Sequence, residues 1–316
     1  MIEKVKKNLI LINIIIIIFF NNSLNAASNF FIVTKVDNEI ITNIDIIHEI
    51  NYLVSLNNEL RNMDKKSLVS LAKNSLIREK IKTNELNKYF KTTLVKKDIL
   101  EKLIENFYVK LNLKNKDEFK NYLANYDIKI TDIEEKIRTE ILWNQHIYQK
   151  YNNQLNINIE ELKKKVNDNQ YIDNKINKYL LSEILFTLED KKNFEKKNRE
   201  IRNKIKTNGF KTAANIYSIS DTAKFGGKIG LIKEKQLSPK ILKEIYSINP
   251  GEITNTIDVP GGFLILKLED IITEEFEKNL EVELNNLIKF ETDRQLNQFS
   301  IIYFNKLKKN SKITNE

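Results

Sequence analysis

Cysteine is absent from this chain of 316 residues. That excludes disulfides, thiolate metal sites, a cysteine nucleophile and a lipidated cysteine anchor. Histidine occurs only as His48 and His146. Neither has a second ligand at helical spacing, so both read as surface or packing residues and no metal site is expected. Glycine and proline are scarce too, with seven and three. All ten lie between Gly209 and Gly262. Because these residues mark tight turns and left-handed backbone, the chain is turn-rich in that window and almost unbroken elsewhere. A Walker-type phosphate loop is also missing, since Gly226-Gly-Lys-Ile-Gly230 lacks the Lys-Ser/Thr ending. Neither nucleotide nor any other cofactor is expected.

What is present is charge and aliphatic bulk. Charged residues make up 30 % and the hydrophobic set 41 %, which places the chain among folded globular proteins. Its length suggests about two domains, each able to bury a core. The formal net charge is +9. Acids are interleaved with the bases, as in Glu160-Glu-Leu-Lys-Lys-Lys165, so the surplus reads as solvated helix faces and not as a nucleic-acid footprint.

The N-terminus has the order of a secretory signal. Met1 to Lys7 is basic, Leu9 to Phe20 is apolar, and Asn21 to Ala27 is small and polar, with cleavage expected after Ala26. Leu9 to Phe20 is shorter than the roughly 20 residues a membrane span needs, and Asn13 interrupts it. Residues 1–26 are therefore expected to be removed. The mature chain would then lie in the periplasm, with no integral membrane segment.

Beyond the leader, Phe31 to Val36, the turn Asp37-Asn38 and Glu39 to Thr42 predict a hairpin. Thr42 with Asp45 predicts a capping box, opening a helix to about Asn58. A second helix is predicted over Lys66 to Phe90. A third begins near Lys96, with Ile99, Leu103, Phe107 and Leu111 on one inward face. Capping boxes at Asn115/Glu118, Thr131/Glu134 and Asn158/Glu161 predict three more helices. The middle one carries Ile133, Ile137, Ile141 and Tyr148 along one stripe, and the last turns Leu162 and Val166 inward. Such short amphipathic helices can leave a groove for apolar peptide.

The glycine window reads as a compact unit. Tyr179 to Phe186 predicts a buried strand, and Asp190 to Thr207 a charged helix ended by Gly209. Phe210 to Ile216 predicts a short helix, followed by the Gly226-Gly227 turn and a strand. Ser238-Pro239 opens another helix. Val259 to Gly262 is a hairpin turn into the strand Phe263 to Leu268. Farther on, Thr273-Glu-Glu275 is expected to open a helix carrying Phe276, Leu280, Leu284 and Leu287, with Phe299 to Phe304 as a terminal strand.

These residues resemble the parvulin-type (PpiC) peptidyl-prolyl isomerase family. The segment from Tyr217-Ser218 to Gly226-Gly227-Lys-Ile-Gly230, the turn Pro250-Gly-Glu-Ile253 and the strand Gly262-Phe-Leu-Ile-Leu-Lys267 match three family motifs in order over about residues 178–271. The opening Val36-Asp-Asn-Glu-Ile-Ile-Thr-Asn-Ile-Asp45, the helical stretch and the C-terminal helix extend the likeness to the SurA family of periplasmic chaperones. That family has two parvulin domains, and this chain has room for one. The resemblance implies an α+β fold. A mainly helical module (27–175) would be completed by a C-terminal helix and strand (273–316), with one parvulin-like domain (176–272) built on a small antiparallel sheet.

The resemblance also implies where the isomerase groups would sit. The two histidine positions of the family fall on Glu183 and Leu264, and the loop position on Ser220 beside Asp221. The apolar, peptide-binding side would comprise Phe225, Ile229, Leu237 and Ile241. The barrier to twisting an X–Pro amide is about 18–20 kcal/mol; the resemblance implies that a hydrogen-bonded polar cluster lines that amide, and here both of its histidines are replaced. The expected function is a chaperone for unfolded or extended clients, outer-membrane proteins by the resemblance, with a catalytically degenerate parvulin domain. The alternative is an active prolyl isomerase.

Overall fold

The computed structural model describes residues 30–90, 95–167, 175–188, 191–275 and 279–315. The predicted leader, residues 1–26, and Phe276 lie outside them. The predicted hairpin forms as β1 (Ile32–Val36) and β2 (Glu39–Thr42), turning at Asp37 with φ 55°. Thr42 then caps α1 (Asn43–Leu56): its hydroxyl accepts from the Asp45 N–H at 3.2 Å, and the Asp45 carboxylate accepts from the Thr42 N–H at 2.8 Å. This reciprocal pairing satisfies two donors that a bare helix end would orphan. Next comes α2 (Lys65–Leu86), four residues shorter at its C-terminus than the predicted end at Phe90. The helical module continues with α3 (Lys97–Lys110), α4 (Lys116–Ala124), α5 (Ile130–Tyr151) and α6 (Ile159–Asn167).

Two capping boxes differ from expectation. Asn115 does accept from the Glu118 N–H at 2.9 Å, but the Glu118 carboxylate reaches past it to the Lys114 N–H at 2.8 Å. In α5 the helix starts two residues earlier, at Ile130, because Asp132 and not Glu134 closes back on the chain, accepting from the Lys129 N–H at 2.8 Å. Asn158 caps α6 as expected, accepting from Glu161 N–H at 3.1 Å.

The inward stripes also shift. In α3 the buried positions are Leu100 and Ile104, and Ile99 is exposed. A strict four-residue spacing drifts about 40° per step, so Ile99 lies roughly 100° from the centre of the face that Phe107 and Leu111 share with Leu100. In α5, Ile133 and Ile137 are buried against the helical core, but Tyr148 is exposed. There the helix changes partner, and Leu142, Trp143 and Ile147 turn a different face into a second cluster with Tyr303.

A second sheet follows in the glycine-rich window. Its strands are β3 (Lys175–Phe186), β4 (Lys228–Lys233), β5 (Ile257–Val259) and β6 (Gly262–Glu275), all antiparallel in the order β4-β3-β6-β5. Between β3 and β4 run α7 (Phe194–Asn208) and α8 (Phe210–Tyr217), separated by Gly209 at φ 83°, and between β4 and β5 runs α9 (Pro239–Ile245). Strand alternation splits the sheet into two faces. Ile184, Phe186 and Ile265 pack on Ile201, Phe210 and Ala213 from α7 and α8. Tyr179, Leu181, Leu185, Leu264 and Leu266 point to the other face.

The C-terminal segment departs most from the sequence reading. Thr273 to Glu275 are the end of β6, paired with Lys175–Asn177, and do not begin a helix. The helix is α10 (Leu280–Asn310), and it runs through Phe299 to Phe304 where a strand was predicted. At about 1.5 Å per residue it extends roughly 46 Å. The terminal strand exists, but as β7 (Ile313–Asn315), which pairs with β1 in the sheet order β2-β1-β7. The last strand thus returns to the first.

Candidate functional site

The turn geometry around β3 has a steric cause. The Glu183 N–H donates to the Gly227 carbonyl at 2.8 Å. Gly227 has φ 81°, and a Cβ built there would lie 2.3 Å from the Glu183 carbonyl oxygen. Only glycine allows that approach. The preceding loop is fastened to the same strand: Leu185 N–H donates to Ser218 Oγ at 3.1 Å, and Ile219 N–H to the Leu185 carbonyl at 2.7 Å. Ser220 and Thr222 are thereby held over the second face of the sheet.

On that face Ser220 Oγ donates to Glu183 Oε1 at 2.5 Å, and Thr222 Oγ1 donates to the same oxygen at 2.9 Å. Burial pushes the Glu183 carboxyl above its ordinary value, and these two hydroxyls, which favour the charged form, offset only part of that. Leu264 is buried on β6 and pairs with Leu185, so it stands diagonally from Glu183. The result is a polar strip of one carboxylate and two hydroxyls beside an aliphatic wall. It can accept or donate hydrogen bonds to a peptide main chain and take apolar side chains. It holds no imidazole and no thiol.

The face looks onto a cleft of about 1020 Å³. Glu183, Ser220, Asp221, Leu264, Ile229, Leu237 and Ile241 all line it. Phe225 does not. Its ring meets Phe107 of α3 edge-on at 5.5 Å, with the Lys110 ammonium 4.4 Å from the centroid, so it belongs to the seam with the helical module. Thr222, which the sequence reading passed over, is a member of the polar strip. Its one signal was a hydroxyl residue two places after Ser220 in the same loop.

Across the cleft lies α10. Phe290, Arg294, Asn297 and Ile301 line it, spaced so as to share one helix face. The other sides of α10 are anchored on α5 and α2. Trp143 Nε1–H donates to Ser300 Oγ at 2.8 Å, Phe299 stacks on Tyr151 at 4.8 Å, and Tyr303 hydrogen-bonds Glu85.

The loop carrying Ser220 is also tied to the helical module. Lys82 lies 2.6 Å from Glu140 and 3.6 Å from Asp221, and Arg78 donates to the Ser218 carbonyl at 3.4 Å. For Asp221, burial works to raise the pKa, but Lys82, Lys224 and Arg78 together outweigh it and hold the carboxyl below its ordinary value. Asn57 donates to Asn215 at 3.0 Å, and Lys211 pairs with Glu59 at 2.8 Å. Among the described residues no group of three or more His, Asp or Glu side chains is placed to hold a metal ion, and no helix is long and apolar enough to cross a membrane.

Residues 178–270 match the family model described as Rotamase, PPIC-type PPIASE domain. The chain is similar to chaperone SurA of Pseudomonas putida, at 47 % identity over 53 residues, or 17 % of this chain and 12 % of that protein. It is also similar to chaperone SurA of Pseudomonas fluorescens, at 26 % identity over 185 residues, or 54 % of this chain and 42 % of that one. The matches therefore span less than half the length of these relatives. A solved structure of one of two SurA-like chaperones of Campylobacter jejuni is 15 % identical with a TM-score of 0.37, covering 90 % of this chain and 98 % of that one. The chain is SurA-like, with residues 178–270 as its PPIC-type peptidyl-prolyl isomerase domain.

Proposed function

We propose that this protein is a periplasmic chaperone for unfolded or extended polypeptides, outer-membrane proteins among them, and that its parvulin domain binds chain without catalysing prolyl isomerisation. In this reading residues 1–26 direct export, residues 27–175 and 273–316 form the holding module, and residues 176–272 form the parvulin domain. The similarity to chaperone SurA supports the holding role. One observation carries the loss of catalysis. The family's histidine positions hold Glu183 and Leu264, and Glu183 Oε1 already accepts from both Ser220 and Thr222. The strip offers no imidazole, and its one carboxylate is already engaged by two hydroxyls.

The rival reading, an active isomerase, rests on the polar strip lying beside an apolar wall, as an isomerase requires. A protease-coupled prolyl isomerisation assay on the intact chain separates the two. The expected rate is that of the uncatalysed peptide; acceleration comparable with an active parvulin would reject the degenerate reading.

A further inference from the structure

The two neighbours Ile301 and Ile302 on α10 have opposite fates. Ile302 is 50 % exposed, whereas Ile301 is 8 % exposed and belongs to the cluster formed by Leu181, Leu185, Ile257 and Leu264 of the parvulin sheet. Leu237 and Ile241, on the apolar wall of the cleft, pack against the same cluster. A Cβ built on Gly261, at the tip of the β5–β6 hairpin, would lie 3.4 Å from Ile301 Cγ2. The helix is held in this pose from behind by Phe299 and Tyr303 and from the side by Ser300, which contact α5 and α2. Ile301 is therefore an aliphatic side chain, presented by a fastened helix, on the face that the parvulin fold uses for apolar side chains of a peptide.

We infer that α10 is a built-in competitor for the prolyl face: Ile301 occupies part of its apolar surface, and a client segment binds there only by displacing it. The inference rests on the reading that this face binds polypeptide. A ligand that binds only the open form shows an affinity reduced by the fraction of molecules that are open. Removing the aliphatic competitor removes most of that reduction. Burial of one isoleucine corresponds to about tenfold or more in such an equilibrium.

The absence of cysteine from the chain gives a clean test. The built Gly261 Cβ lies 3.8 Å from Ile301 Cβ, within the Cβ–Cβ range of about 3.5–4.5 Å that a disulfide requires. In a Gly261→Cys/Ile301→Cys double variant of the full chain, the reduced and oxidised forms share any backbone strain at position 261. The probe is a fluorescein-labelled hexapeptide with a central Leu-Pro step, titrated by anisotropy against the wild type, both redox forms, Ile301→Ser and the exposed control Ile302→Ser. Expected results are about tenfold tighter binding by Ile301→Ser, wild-type affinity for Ile302→Ser, and loss of binding in the oxidised double variant that reduction restores. Equal affinity of oxidised and reduced forms, or no gain in Ile301→Ser, would overturn the inference. So would a failure of every form to bind, and client-aggregation measurements on the wild type then judge the chaperone reading separately.

Discussion

The indole N–H of Trp143 donates to Ser300 Oγ at 2.8 Å, and this bond joins the middle of the helical module to the middle of the last helix. Trp143 is fully buried, stacks on Tyr303 at 5.8 Å, and is the sole tryptophan of the chain. Its fluorescence therefore reports the seating of α10. Ser300→Ala leaves the indole donor buried without its partner and is expected to cost about 1–3 kcal/mol in urea unfolding. Emission of the native state should stay blue-shifted, because the surrounding aromatic cluster remains. A red-shifted native spectrum in Ser300→Ala would mean that this single bond holds the helix in place.

Gly227 is the position where the turn is least replaceable. With φ 81° and a built Cβ 2.3 Å from the Glu183 carbonyl, Gly227→Ala strains the backbone and breaks the loop from β3. Gly209 also has a left-handed φ of 83°, but nothing lies within 4 Å of its built Cβ. Gly227→Ala is expected to cost about 3 kcal/mol or more, and Gly209→Ala about 1 kcal/mol. Thermal unfolding of the two variants side by side checks the order.

Glu183 is a buried carboxyl whose pKa is raised by desolvation. Its folded state binds the proton more tightly than the unfolded state. The resulting stabilisation is full below the ordinary value of 4.5 and is lost as pH rises through the folded pKa. At pH 7 the charged form is thus a cost. Glu183→Gln keeps an acceptor for Ser220 and Thr222, so it should raise Tm at pH 7 by about 2 °C and give no gain near pH 4. A lower Tm at pH 7 would show that the charge itself is needed there.

His146 works in the opposite direction. It is buried against Tyr89 at 4.4 Å with Nε2 unpartnered, and burial lowers its pKa despite the attraction of Glu85. Lys150 adds to the depression. Stability that is complete above the ordinary value of 6.5 is therefore lost as pH falls through the folded pKa. His146→Gln should flatten the stability profile below the ordinary value of 6.5, at some cost in packing. An unchanged slope in that window would place the acid sensitivity elsewhere.

The parvulin sheet was legible because its turns carry glycine where no other residue fits, as at Gly227, and those glycines stand at recognisable spacing. The hairpin at Asp37 and the Thr42/Asp45 capping box were legible because their signals, a turn pair between alternating runs and a hydroxyl three residues before a carboxylate, are also local. What escaped depends on partners distant in sequence. Phe299 to Phe304 is rich in β-branched and aromatic residues and reads as a strand alone, yet Phe299 and Tyr303 sit one helical turn apart and both dock on α5. Tertiary packing overrides local preference there. The face of α5 likewise changes where its partner changes, which puts Tyr148 in solvent and Trp143 in the core. Ile301 carries no local sign of its seat on the parvulin face. Phe225 was expected on the peptide-binding side by the resemblance, but Phe107 of α3 takes its ring.

The proposed role requires that this protein hold unfolded chains. The direct measurement is light scattering of a urea-unfolded outer-membrane β-barrel protein diluted into buffer, with the intact chain added at increasing ratio. Suppression of aggregation approaching completeness near one chaperone per client is the predicted result. Scattering unchanged at a several-fold excess, with no binding of aromatic-rich peptides, would contradict it.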